Sequence, residues 1–244
     1  LYGTDVIAET GGAARTTAYN PVRGQSVFSY ADEFLDQAIP LKRGRHEMVQ
    51  QYRLANESGH IVLEVELKDH SITSLCQPDK LIGFQGSFTT PATLLFANHG
   101  LHLEIQLDPT HLIGKQHHAG VKDVYLESAM TTIQDCEDSV AAVDASDKVA
   151  VYRNWLGLMK GTLEENVKKG DKTIVRKLSP DRIYKGTSGE TVMMQGRSLL
   201  LVRNVGHLMT TDAILDREGN EIPEGLMDAM VTTLCALHDL KGNS

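Results

Sequence analysis

The chain has 244 residues, 41% of them hydrophobic and 23% charged, which is room for one large globular domain or two small ones. Its net charge of -8 argues against nucleic acid or an anionic membrane surface as a partner. No apolar run approaches the roughly 20 residues of a membrane-spanning helix, and no signal-peptide pattern is visible at the N-terminus. Cys76, Cys136 and Cys235 are widely spaced and give neither a disulfide framework nor a metal-binding pattern, so a reducing, cytoplasmic setting is expected.

In chain order, residues 8–20 read as a loop. Pro21 sits where a helix can start, and Val27, Phe28, Ala31, Phe34, Leu35 and Ala38 keep helical spacing up to Pro40. From 47 to 107 the period changes. Met48–Leu54 and His60–Leu67 flank the hairpin-like stretch Asn56-Glu-Ser-Gly59, and Leu63, Val65 and Leu67 alternate with Val62, Glu64 and Glu66. Leu81–Phe88, Thr93–Ala97 and Leu101–Leu107 read as further strands of a small, mostly β unit. Residues 119–133 return to a helical pattern, with Val121, Val124, Tyr125, Ser128, Ala129 and Thr132 on one side. Asp147–Leu158 is helical in pattern, and Gly161-Thr-Leu-Glu-Glu165 reads as another helix start with acids in its first turn. Lys172–Leu178, Arg182–Tyr184, Glu190–Met194 and Leu199–Val202 read as strands, Arg217–Asn220 as a loop and Pro223–Leu240 as a helix. The β-rich blocks 47–107 and 172–194, with a more helical block between them, fit two interleaved domains.

Two segments are chemically unusual. Asp135, Glu137 and Asp138 put three carboxylates within four residues, between the run Val121–Ile133 and a Val/Ala stretch, both expected to be buried. Like charges this close are either solvated or paired with a cation. Arg203 ends the apolar run Leu199–Val202, where a guanidinium needs an anionic partner, either the acidic cluster or a substrate carboxylate. Asp138 reads best as a cap for the helix or loop after it. His207, after Gly206, invites a general-base role, but a structural histidine is the expectation. His117-His118 is a tempting metal pair. Neighbours on a strand point to opposite faces, so both are expected at the surface. No phosphate-binding glycine motif, nucleophile elbow or metalloprotease motif occurs.

The stretches TTIQDCEDSVAAVD (131–144), YRNWLGLMKG (152–161) and GRSLLLVRNVGHLMT (196–210) occur in an order and spacing that resemble the malate synthase G family. The resemblance runs from Leu1 to about Lys241. It implies an α+β architecture, in which a mostly β domain is interleaved with an incomplete portion of a (β/α)8 TIM barrel. Residues 1–127 and 161–195 would be the inserted domain, and 128–160 and 196–244 barrel elements. The implied activity is condensation of acetyl-CoA with glyoxylate and water to malate and CoA in the glyoxylate cycle, with Mg²⁺ polarising the glyoxylate carbonyl. By the same resemblance Arg203 contacts glyoxylate and supports the enolate oxygen. Asp135 and Glu137 match acids beside the metal and the arginine, and Glu137 would hold a metal-bound water or the arginine. Ser139 and Arg176 match contacts of acetyl-CoA.

The family's direct Mg²⁺ ligands and catalytic aspartate base have no counterpart within 1–244, so no direct metal ligand is expected here. The family enzyme is much longer, and the chain starts at Leu1 without methionine. An internal piece is therefore expected, inactive by itself, weak in Mg²⁺ binding and prone to self-association through open barrel edges near 196–203. Two other readings stay open. One is a non-catalytic β-rich binding module with a structural Arg–carboxylate network. The other is an acyl-CoA lyase of the related barrel type.

Overall fold

Asn20 starts the first helix. Its side-chain oxygen accepts from the Val22 amide at 3.0 Å and the Arg23 amide at 3.3 Å, and Pro21 fills the first helical position, where no N–H is needed. The resulting helix α1 (Pro21–Ala38) buries Phe28, Asp32, Leu35 and Ala38. The structure is a computed structural model that describes residues 19–128, 132–137, 142–170 and 172–242. It has two compact units, Leu1–Ala129 with Ile183–Met193, and Met130–Arg182 with Met194–Ser244. The architecture is α+β, mostly strands, and the described residues form no closed barrel.

In the first unit β1 (Val49–Glu57) and β2 (His60–Leu67) form the hairpin that the sequence pattern indicates. Ser58 and Gly59 take φ of 54° and 92°, the left-handed pair that a tight two-residue hairpin turn needs. β3 (Ile72–Thr73) adds to β2. β4 (Leu81–Gly86), β5 (Pro91–Asn98), β6 (Leu101–Leu107) and β7 (Val121–Leu126) run antiparallel in sequence order. Leu35, Ile39, Tyr52, Leu63, Phe84, Leu94, Phe96 and Ile105 belong to the one core cluster shared by α1 and both sheets.

The second unit holds β8 (Thr132–Asp135), α2 (Ala145–Lys160), β9 (Glu164–Lys169) and β10 (Lys172–Lys177). β11 (Arg182–Gly186) and β12 (Thr191–Met194) then extend the first unit's sheet, giving the order β12-β11-β4-β5-β6-β7. β13 (Leu200–Arg203), the hairpin of β14 (Thr210–Leu215) with β15 (Glu221–Pro223), and α3 (Glu224–Gly242) complete the second unit. Among the described residues no helix is long and apolar enough to cross a membrane.

Four expectations are corrected. Among the described residues of 119–133 there is no helix: β7 pairs with the edge of β6 from Leu103↔Leu126 to Leu107↔Val121, and Thr132 opens β8. An open sheet edge and a β-branched, aromatic composition outweigh a helical period. The run is not buried either, since Tyr125, Leu126 and Ile133 are all exposed. Gly161 ends a helix rather than starting one. It adopts φ 67° and its amide bonds back to Gly157 and Leu158, the usual left-handed glycine stop, and Glu164 then opens a strand. Finally, His117 and His118 follow a short 3-10 turn instead of lying on a strand. His117 is buried, its ring meeting Phe28 edge-on at 5.1 Å and stacking on His118 at 4.2 Å.

His46 supplies a pH prediction. It is fully buried, with Nδ1 2.8 Å from the Tyr52 hydroxyl and Nε2 3.0 Å from the Ile39 carbonyl. Burial pushes its pKa down, and the Ile39 carbonyl only partly opposes this. The folded state therefore favours neutral imidazole, while the unfolded chain titrates near the ordinary ~6.5. Below ~6.5 the unfolded state binds the extra proton, so this contribution to stability is present above that pH and is lost as pH falls. Urea unfolding of the first unit should weaken by up to about 1.4 kcal/mol per pH unit just below pH 6.5, and His46→Asn should flatten that slope. An equally steep slope in the variant would rule His46 out as its source.

Candidate functional site

The chemistry converges where β8 and β13 end. These strands are parallel, and the register places Arg203 opposite Asp135, each the last residue of its strand. The Arg203 Nε donates to Asp135 Oδ1 at 2.9 Å and one terminal nitrogen donates to Oδ2 at 2.5 Å, a two-point grip. The same terminal nitrogen lies 3.0 Å from Glu137 Oε2. Asp135 Oδ1 also accepts the Glu137 amide at 3.0 Å, which turns the chain just past the strand and brings the second acid round to the arginine. The Arg203 hydrogen bonds hold the Asp135 carboxyl below the usual aspartate range, and Asp135 in turn raises the guanidinium. The cluster opens to solvent: the side chains of Arg203, Glu137 and Asp135 are 48%, 35% and 21% exposed.

Strand alternation sends Cys136 the other way. It is fully buried against Ala142 and Val151, and burial lifts its thiol to about 11. Behind it lies a group that the sequence reading missed. Lys148 of α2 is buried and donates to the Cys136 carbonyl at 2.7 Å. It also reaches Glu224 Oε1 at 2.6 Å and Asp228 Oδ1 at 3.2 Å, both on α3. Asp228 is completely buried and accepts from the Tyr152 hydroxyl and, at 2.8 Å, from the Val205 amide. Burial pulls the Lys148 pKa down, but its hydrogen bonds to Glu224 and Asp228 outweigh that and leave it raised. The signal was present in the sequence. Lys148, Val151, Trp155 and Met159 share the buried face of α2, and Asp228, Thr232 and Cys235 that of α3, so both charges sit in phase with apolar stripes.

The other anticipated residues fall elsewhere. Arg176 lies exposed on β10 opposite Glu165, and among the described residues its side chain makes no hydrogen bond or ion pair. Ser139 and Asp138 lie outside the described residues. His207 is exposed, so it is not a packed structural histidine.

Asp32, His117 and His118 bring metal-type donor atoms together in the first unit. The Ala119 amide, however, donates to His117 Nδ1 at 3.1 Å, which leaves the ring proton on Nε2, facing Asp32 Oδ1 at 3.5 Å. A ligating histidine needs the opposite arrangement, with its free nitrogen turned to the metal and the other N–H donating. These side chains therefore form a packed group, His117 facing Asp32 and stacked on His118. A surface cavity of about 430 Å³, lined by Lys42, Arg43, Glu57, Glu64 and Thr73 among others, contains none of Asp135, Glu137 or Arg203.

Comparison with known proteins agrees with the motifs. The family described as "Malate synthase G, alpha-beta insertion domain" matches residues 19–98. Malate synthase G of Halalkalibacterium halodurans is 52% identical over 243 residues, covering 100% of this chain and 33% of that protein. Malate synthase G of Corynebacterium efficiens and of Corynebacterium glutamicum are 50% and 47% identical, each over 97% of this chain and 31% of their own length. The chain thus spans about a third of the length of these relatives. With about half of all positions shared along its whole length and the insertion-domain match inside it, this chain is similar throughout to about a third of malate synthase G.

Proposed function

We propose that the chain is a segment of a malate synthase that condenses acetyl-CoA with glyoxylate and water to malate and CoA. Arg203 carries the arginine's part of the chemistry. The observation behind this is the two-point grip of Arg203 on Asp135 at the carboxyl ends of two parallel strands. In barrel enzymes that end of the strands is where catalytic groups collect. β8 leads to α2 and β13 leads, through a hairpin, to α3, which supports reading 128–160 and 196–244 as barrel elements, with 1–127 and 161–195 as the inserted domain.

The chemistry follows from charge. Removing a proton from the acetyl methyl leaves an enolate, and a fixed guanidinium beside it lowers the barrier because it is already oriented when the charge appears. Arg203, half exposed and raised in pKa by Asp135, stays protonated throughout and offers donors to an incoming carboxylate. One guanidinium faces two carboxylates, and hard carboxylate oxygens of this kind suit a hard cation such as Mg²⁺. Both Asp135 oxygens are engaged by Arg203, so these acids fit the support of metal-bound water better than direct ligation. When bound, Mg²⁺ would polarise the glyoxylate carbonyl. Asn204 Oδ1, buried next to Arg203, has no hydrogen-bond partner among the described residues, as befits a site completed by other groups. Ser139 and Arg176 would contact acetyl-CoA, and the three free cysteines suit a cytoplasmic home. Self-association of this chain would run through the outer edges of β8 and β13.

A coupled assay for free CoA tests the reading. A complete chain carrying this segment should release CoA from acetyl-CoA only when glyoxylate is added, and residues 1–244 alone should not. Release with a different aldehyde acid but not glyoxylate would favour the lyase reading. A complete chain with no turnover would favour the binding module.

A further inference from the structure

We propose that Lys148 and Asp228 form a buried clamp that positions Arg203 and its acids, by tying the ends of β8 and β13 to α2 and α3. Everything in front of the strands depends on where two short backbone segments stop. The β8 end is held by its Cys136 carbonyl, which accepts from Lys148 at 2.7 Å, between the two acids that face Arg203. The β13 end is held by its Val205 amide, which donates to Asp228 at 2.8 Å, two residues past Arg203. The two anchors are bonded to one another, and the Cys136 amide joins the strands directly through the Arg203 carbonyl at 2.9 Å.

The closed loop of contacts therefore runs from one strand end through Lys148 and Asp228 to the other. Tyr152 and Glu224 hold Asp228 and Lys148 from the flanks. Lys148 is 7% exposed and Asp228 0%, so water cannot substitute for either partner. A pair buried at this depth is weak evidence for stability in itself, because an apolar pair of similar volume often serves as well. What an apolar pair would not do is grip a backbone carbonyl on one strand and a backbone amide on the other. Lys148 and Asp228 touch neither the open face nor anything bound there, so they are positioning residues.

The enzymatic part of this inference rests on the malate synthase reading, but its first test does not. In the 244-residue chain, the Arg203 Nε–H resonance reports the grip on Asp135. With Lys148→Met or Asp228→Asn it should move to the position of a solvated arginine and exchange faster, while circular dichroism and Trp155 fluorescence stay native. Asp228→Asn keeps the shape and an acceptor for Val205, so it decides the matter if Lys148→Met fails to fold. Folded variants with an unmoved Arg203 resonance would overturn the clamp, and so would failure of both to fold, which would make the pair a folding determinant only. In a complete chain the same variants should lower kcat by about 10²-fold, the size of a small misplacement, with KM for acetyl-CoA within about threefold. Loss in KM alone would also overturn it. A complete chain inactive from the outset, with the Arg203 signal still shifted by the variants, would sink the malate synthase reading and leave the clamp standing.

Discussion

Arg203→Lys in a complete chain is expected to reduce kcat by about 10²–10³-fold, the loss typical of removing one fixed donor from a developing oxyanion. Lysine keeps the charge but not the geometry. The guanidinium uses Nε and one terminal nitrogen for Asp135, with the latter shared with Glu137 at 3.0 Å, and still presents its remaining face. An ammonium cannot form that planar two-point contact and point elsewhere at once. Stability should hardly change, because the arginine is half exposed and such pairs contribute little. Steady-state kinetics and thermal unfolding of the same preparation check both halves. A variant that turns over normally but unfolds early would invert the expectation and favour a structural network at this position.

Phe96→Ala should destabilise the first unit by about 3–5 kcal/mol, the range for truncating a fully buried aromatic side chain. Phe96 is 0% exposed in the middle of β5, between Leu81 of β4 and Leu103 of β6, within the cluster that also contains Phe84 and Leu35. Domain stabilities are typically about 5–15 kcal/mol, so this change removes a large part of the total. Urea titration followed by far-UV circular dichroism measures it. Trp155, the single tryptophan, sits 5% exposed in the second unit and reports that unit separately. A loss below about 1 kcal/mol would mean that the neighbouring side chains collapse into the space, contrary to a close-packed interior.

Much of the first unit was legible because its signals are local. Alternation in Leu63, Val65 and Leu67, the Asn56–Gly59 hairpin stretch and the Pro21 helix start each involve neighbours in sequence, and each formed where expected. Val121–Leu126 was misread because its fate depends on β6, a partner whose edge no window around 121 contains. Gly161 was misread because a glycine beside a helical pattern marks an end as readily as a start, and only its left-handed φ distinguishes them. β14 was not anticipated, as its residues Thr210–Leu215 owe their pairing to β15 beyond the Asp216–Asn220 turn. In the site, charge narrowed the partner of Arg203 to the acidic cluster or a substrate carboxylate, and the β8–β13 register, which no sequence window contains, selects Asp135 and Glu137. Lys148 and Asp228 escaped notice because a lone charge in a helix usually points to water. Here each lies on the buried stripe and only the partner helix makes that tolerable.

The ladder of β8 and β13 has a further consequence. Each strand pairs with a single neighbour among the described residues, so each keeps one rim of main-chain donors and acceptors facing outward. A strand docking there would extend the sheet with its own carboxyl end arriving beside Arg203. Such a strand needs no covalent link to this chain, since main-chain hydrogen bonding alone sets its alignment.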